Sequence, residues 1–150
     1  MLVEFNVTNF RSLRETQTFS LVAGPAREHE ATHCFDSGVK AVPRLQRSAV
    51  IYGPNAGGKT NLMRAIQFMQ LMVITSATQV REGEQLAIAP FAFDAKSTAE
   101  PTIFEATFIA DRVRYQFGFA ATKHRVMHEW IFAFPKNKKQ HWYERVYDPK

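Results

Sequence analysis

One stretch of this chain has the residue types and spacing of a loop that binds phosphate groups. The stretch is Gly53-Pro54-Asn55-Ala56-Gly57-Gly58-Lys59-Thr60, and it fits the pattern G-x-x-x-x-G-K-[ST]. Asn61 follows it directly. Its glycines would let main-chain N–H groups approach phosphate at a helix N-terminus, where the helix dipole favours anions. Lys59 would bring a positive charge to the β- and γ-phosphates, and Thr60 would offer its hydroxyl to Mg²⁺. The pattern therefore predicts a site for Mg²⁺ and a nucleotide, and it leaves the base open because the loop contacts phosphates.

The segments on either side of this loop have the periodicities that such a loop requires. Residues 48–52, Ser-Ala-Val-Ile-Tyr, form a short apolar run rich in β-branched residues, which predicts a strand covered on both faces. From Lys59 to about Thr75 the apolar residues recur at helical spacing and predict an amphipathic helix packed on a sheet. The residues predicted to face the sheet are Leu62, Ala65, Ile66, Met69, Met72 and Val73.

The remaining segments are predicted to be mostly antiparallel strands. Alternation over residues 3–8 and 16–22 predicts a hairpin within residues 1–22 that turns near 11–14, and the polar stretch 23–47 is expected to be a loop. After a polar linker around 78–85, period-two patterns within residues 90–148 predict an antiparallel meander. Its strands are expected at 103–109, 113–119, 126–134 and 142–147, with turns near 110–111, 122–124 and 135–139.

Composition limits the class of protein. The 150 residues carry 19 Lys and Arg against 14 Asp and Glu, a net charge of +5, and 45% of them are hydrophobic, which suits one folded domain. A single cysteine, Cys34, cannot form a disulfide within the chain and favours a reducing compartment. Neither a signal peptide nor an apolar stretch of membrane-spanning length is evident, so a cytoplasmic protein without a membrane partner is expected. The charge permits nucleic acid as a partner.

Several segments resemble bacterial AAA-family ATPases of the ABC-like type, which are related to SMC, RecF and OLD proteins. The matching segments are residues 3–13, 18–21 and 51–62, which include Asn9-Phe10-Arg11-Ser12 and the phosphate loop. The segments 90–94, 102–105, 113–119 and 129–131 resemble the RloA-like branch, which includes the ATPase of the PARIS anti-phage system. The chain is similar to the N-terminal part of one such ATPase domain.

This resemblance implies a fold, an activity and partners. The fold would be an α/β P-loop NTPase with an ABC-ATPase-like N-terminal lobe and an antiparallel β side sheet. The activity would be ATP binding and hydrolysis with Mg²⁺ in a homo-oligomer, used as a switch or sensor in anti-phage defence. The implied partners are a TOPRIM-type effector nuclease and a phage-encoded trigger protein. Arg11 becomes a candidate for contacting nucleotide or the opposed subunit, with a solvated turn arginine as the alternative.

The sequence also departs from the ABC-like pattern. Gly57 stands where many relatives carry Ser, and the chain has no acidic Walker B strand and no signature motif. The nearest imitation of Walker B, residues 108–111, lacks the acidic neighbour, so the general base is unknown. Two alternatives stay open: an SMC/RecF-like ATPase of DNA repair, and a nucleotide-binding module without catalysis of its own.

Two weaker signals have ordinary explanations beside the functional ones. His29, His33 and Cys34 could hold a soft metal, but they lack a second spaced pair of ligands. The basic residues of two predicted turns, 123–125 and 136–139, could form a basic edge for a polyanion, or could simply keep the hairpin tips soluble.

Overall fold

The computed structural model describes residues 1–76 and 85–149, and its central feature is a six-stranded antiparallel sheet. The predicted linker at 78–85 lies outside the described residues except for Gln85. The strands are β1 Leu2–Thr8, β2 Gln17–Ser20, β3 Cys34–Asp36, β4 Arg44–Gln46, β5 Thr102–Ala110, β6 Val113–Ala121, β7 Val126–Phe134 and β8 Gln140–Val146. The helices are α1 Glu30–His33, α2 Lys59–Thr75 and α3 Ala95–Ala99, with a 3₁₀ turn at Pro135–Asn137. The large sheet has the order β2-β1-β5-β6-β7-β8, and β3 pairs with β4 in a separate sheet.

The predicted hairpin and the predicted meander are both confirmed, and they join into one sheet. Strand β1 pairs with β2 on one side, where Phe5 lies opposite Phe19, and with β5 on the other, where Phe5 lies opposite Ala106. Strands β5 to β8 pair in sequence order. Because successive side chains of a strand point to opposite faces, the apolar residues at every second position lie on one face of this sheet. The period-two pattern predicts these strands for that reason.

Helix α2 packs on that apolar face, and its bounds match the predicted helix. The main core joins three helix residues, Ala65, Met69 and Met72, to sheet residues that include Phe5, Phe104 and Phe119. The predicted inward position of Val73 is wrong: its side chain is 58% exposed, and Thr75 is buried instead. The sheet contacts a narrow stripe of the helix, and Val73 lies about 100° around the axis from Met72.

The expectation of a loop over residues 23–47 is corrected by the structure. This stretch contains α1, β3 and β4, and it builds a second core in which Val39, Val42 and Leu45 pack against Val3 and Ile109 of the large sheet. The strands are only three residues long, so they show no sustained period. Their stability comes from this tertiary packing, to which a search for local periodicity is blind.

The predicted strand at residues 48–52 is also corrected. None of these residues is in a strand, and Val50 and Tyr52 are 84% and 89% exposed. A strand covered on both faces needs neighbouring strands for its main-chain groups. Each named strand among the described residues pairs with strands other than this segment, so its β-branched composition is not sufficient. No helix in the described part of the chain is long and apolar enough to cross a membrane.

Candidate phosphate-binding site

The loop at residues 53–58 bends through unusual backbone conformations and ends directly before Lys59, the first residue of α2. Gly53 has φ +154°, Ala56 has φ +63° and Gly58 has φ +86°. The N–H of Gly57 donates to the carbonyl oxygen of Pro54 at 3.2 Å and closes a tight turn. Positive φ is readily adopted by glycine, which explains the residue type at position 58.

Main-chain donors at the start of α2 are available to an acceptor outside the protein. Gly58 is the N-cap residue, and within the described residues no side chain caps this helix end. The first N–H groups of an α-helix lack intrahelical partners, and together with the helix dipole they attract an anion. Residues 53–57 and Thr60 are exposed, so a ligand can reach the loop and the first helical turn.

The side chain of Lys59 folds back over the loop. Its Nζ donates to the carbonyl oxygens of Gly53 and Pro54, both at 2.7 Å. These two hydrogen bonds hold the positive charge of Lys59 at the start of the loop. The arrangement thus combines a lysine charge, a free helix N-terminus and the Thr60 hydroxyl, a donor set suited to a phosphate group and Mg²⁺.

The hairpin turn at residues 10–13 lies directly against this loop. The Nδ2 of Asn61 donates to the Oγ of Ser12 at 2.7 Å. A Cβ atom on Gly58 would lie 3.0 Å from Cδ2 of Leu13, tighter than ordinary contact, so glycine permits this close approach. The site is therefore built from two segments that are more than 40 residues apart in the chain.

Arg11 is part of the same turn. Its backbone has φ +54°, its N–H donates to the carbonyl oxygen of Ala89 at 2.7 Å, and its exposed guanidinium lies 5.5 Å from the centre of the Phe10 ring. The structure brings Arg11 to the loop's neighbourhood through Ser12 and Leu13, and a contact between Arg11 and nucleotide stays a prediction.

The sequence pattern identified the loop but gave no role to Ser12, Leu13 or Asn9. Asn9 is 4% exposed, and its side chain hydrogen-bonds the segment that precedes β5. An asparagine directly after a strand is a usable signal, because asparagine tolerates positive φ in turns better than most residues. Its partners, however, lie more than 80 residues away and could not be read from the pattern.

The other candidate residues are placed elsewhere. Asp111, the acidic end of the Walker B imitation, lies in the β5–β6 turn with φ +48°, and the preceding Ile109 packs in the second core. Among residues 1–76 and 85–149, no group of three or more His, Cys, Asp or Glu side chains could hold a metal ion. The ring centres of His29 and His33 lie 5.4 Å apart.

The two basic turns do not form one edge. Residues 123–125 precede β7 and residues 136–139 follow it, so they lie at opposite ends of a nine-residue strand, about 30 Å apart. Two of their side chains cover aromatic rings: Arg125 lies 4.4 Å from the ring centre of Tyr147, and Lys139 lies 3.6 Å from that of Phe132. The basic residues therefore form two separate groups, and binding of a polyanion by either group stays a prediction.

A protein-family model described as "AAA domain, putative AbiEii toxin, Type IV TA system" matches residues 48–149. The chain belongs to this family. The match begins just before the phosphate loop and runs through α2 to the end of the meander, so this AAA domain is of the P-loop ATPase type. The predictions of an AAA-family ATPase and of an α/β fold with an antiparallel sheet are thereby confirmed. No curated protein matches the chain.

Proposed function

We propose that the loop from Gly53 to Asn61 of this AAA domain binds ATP with Mg²⁺. The observation that carries the proposal is the loop itself, with left-handed residues at 56 and 58 and an uncapped helix start, inside a region matched by an AAA family. Exposed main-chain N–H groups of the loop and of the first turn of α2 would hold the phosphates. Lys59 would exchange its carbonyl partners for phosphate oxygens and stabilise the charge there.

Thr60 is the residue proposed to hold the metal. Its hydroxyl is exposed in the first turn of α2, one residue after Lys59. Bound Mg²⁺ supplies positive charge that offsets the negative charge of the phosphates. Arg11 would add a further positive charge from the neighbouring turn, toward either the nucleotide or an opposed subunit.

At the level of the whole protein, the proposal is an ABC-like ATPase that acts as a switch in bacterial anti-phage defence. The resemblance to RloA-like and PARIS ATPases supports this role, and the family description names a toxin and a type IV TA system. In this proposal a cytoplasmic homo-oligomer binds and hydrolyses ATP and controls a TOPRIM-type effector nuclease in response to a phage-encoded trigger. Subunit engagement would be the ATP-dependent step.

The decisive experiment measures binding of a fluorescent ATP analogue with and without Mg²⁺. Lys59→Ala removes the charge at the loop and should weaken binding by about 10- to 100-fold, as expected for loss of hydrogen bonds to a charged group. The matched control is Lys138→Ala, which also removes one lysine charge but lies in the turn before β8. Equal affinity of wild type and Lys59→Ala would refute the proposed site.

Phosphate release from ATP separates the wider alternatives. Turnover that depends on protein concentration agrees with subunit engagement, and turnover stimulated by DNA agrees with the SMC/RecF-like alternative. Tight binding with no phosphate release at any protein concentration would favour a nucleotide-binding module without catalysis of its own.

A further inference from the structure

Asn9 directly precedes the turn at residues 10–13, and its buried side chain has several hydrogen-bond partners. Its Nδ2 lies 2.7 Å from the carbonyl oxygen of Ser97, 3.0 Å from that of Glu100 and 3.4 Å from that of Pro101. Its Oδ1 accepts the N–H of Phe91 at 2.9 Å. A buried carboxamide with both ends satisfied is costly to disrupt, because its partners would lose their hydrogen bonds in a site closed to water.

The main chain of Asn9 fixes the hairpin turn that follows. Its N–H donates to the carbonyl oxygen of Arg14 at 3.1 Å, and its carbonyl oxygen accepts the Thr102 hydroxyl at 2.7 Å. Phe10 and Leu13 exchange two hydrogen bonds of 2.8 Å. The turn is thus closed on itself and attached through Asn9 to the segment 91–102.

Two residues of this turn, Ser12 and Leu13, touch the phosphate loop. Ser12 accepts a hydrogen bond from Asn61, and Leu13 packs where a side chain on Gly58 would lie. A shift of residues 10–13 would therefore change the contacts that these residues make with Gly58 and with Asn61 at the start of α2.

We propose that Asn9 is a positioning residue for the phosphate loop. Its carboxamide anchors the turn at residues 10–13 to the segment 91–102. This turn then holds Gly58 and Asn61 in place. The inference rests on the proposed function, since it concerns the same loop. Because Asn9 is buried, its proposed effect on the nucleotide passes through Ser12 and Leu13 and not through direct contact.

Nucleotide affinity gives the first test, with Asn9→Ala, Ser12→Ala and the double variant. Asn9→Ala should weaken binding of the ATP analogue about tenfold, and Ser12→Ala should weaken it a few-fold, as expected for lost hydrogen bonds. The double variant should bind no more weakly than Asn9→Ala, because Ser12 is already displaced in that background. Additive losses would mean that the two residues act independently, which would overturn the proposal.

Amide hydrogen exchange gives a second test that needs no nucleotide. Asn9→Ala should speed exchange in peptides covering residues 58–64 as well as 10–14. The control is Ser37→Ala: Ser37 is equally buried at 4% exposure, and its hydroxyl hydrogen-bonds the main chain of residues 39 and 42 in the second core. Unchanged exchange at 58–64 in Asn9→Ala, or equal acceleration in Ser37→Ala, would overturn the proposal.

The two proposals fail in different ways. If wild type and Lys59→Ala both fail to bind the ATP analogue, the proposed function is refuted, while the exchange experiment still decides the role of Asn9. If Asn9→Ala does not fold, the exposed Ser12→Ala replaces it. Ser12→Ala must then speed exchange at 58–64, and failure to do so contradicts the inference.

Discussion

Gly118→Ala tests how the sheet is packed on the face away from α2. Gly118 lies in β6 opposite Trp130 of β7, and the indole covers it. A Cβ atom at this position would lie 2.3 Å from Cζ2 of Trp130, 2.6 Å from Cε2 and 2.9 Å from the carbonyl oxygen of Phe104. Two of these atoms belong to a rigid ring and one to the main chain, so the indole must move.

The expected cost has two parts. Forcing a methyl group into a packed position costs about 1–3 kcal/mol. Moving the indole also breaks the hydrogen bond from Trp130 Nε1 to the carboxylate of Glu105 at 3.2 Å, worth about 0.5–1.5 kcal/mol. Together they predict that Gly118→Ala lowers the free energy of unfolding by about 1.5–4.5 kcal/mol.

Urea denaturation followed by tryptophan fluorescence measures this difference, since Trp130 is only 9% exposed in the folded protein. Gly24→Ala is the matched control, because a Cβ there meets nothing within 4 Å. Its stability should be unchanged or slightly raised. A loss below about 0.5 kcal/mol for Gly118→Ala, within the range of an ordinary surface substitution, would refute this account of the packing.

Two further changes test the loop and the short helix α3. Gly58→Ala places a side chain at φ +86° and against Leu13, so it should lower the free energy of unfolding by about 1–2 kcal/mol and weaken ATP-analogue binding; wild-type affinity would contradict the geometry of the loop. Asp94 caps α3, and hydrogen bonds from the Ser97 hydroxyl and then the Ser97 N–H lower the pKa of Asp94 below its ordinary value of 3.8. Its ionised form therefore stabilises the fold above pH 3.8, and that contribution is lost as the pH falls through the lowered pKa. When the pH is lowered from 6 to 3, Asp94→Asn should lose less of its free energy of unfolding than the wild type loses, as measured by urea titrations. Identical pH profiles would contradict the capping role.

The parts of the fold that the sequence predicted are those whose stability follows a local pattern. The prediction of helix α2, from Lys59 to about Thr75, agrees with the structure because the phosphate-loop motif marks its start and helical periodicity extends to its last turn. The meander was located because strands β5 to β7 are nine residues each, long enough for alternation to be evident.

The errors occur where tertiary contacts decide. Leu45 is fully buried although β4 is three residues long, because it packs in the second core with Val3 and Ile109 from distant strands. The opposite error occurs at Val50 and Tyr52: their residue types favour a strand, but they are exposed and outside any strand. Strand propensity describes fit to a pleated, half-buried surface, so it does not specify a strand without pairing partners.

The site combines both cases. The motif identifies Gly58 and Lys59. Glycine is needed at position 58 for two reasons, and the motif accounts for only one of them. The first reason, φ +86°, is local and belongs to the loop. The second, the 3.0 Å approach of Leu13, comes from a hairpin turn outside the family match, which begins at residue 48. Because that turn is anchored by Asn9 to the segment 91–102, the conformation of the phosphate loop depends on contacts on both sides of it in the chain.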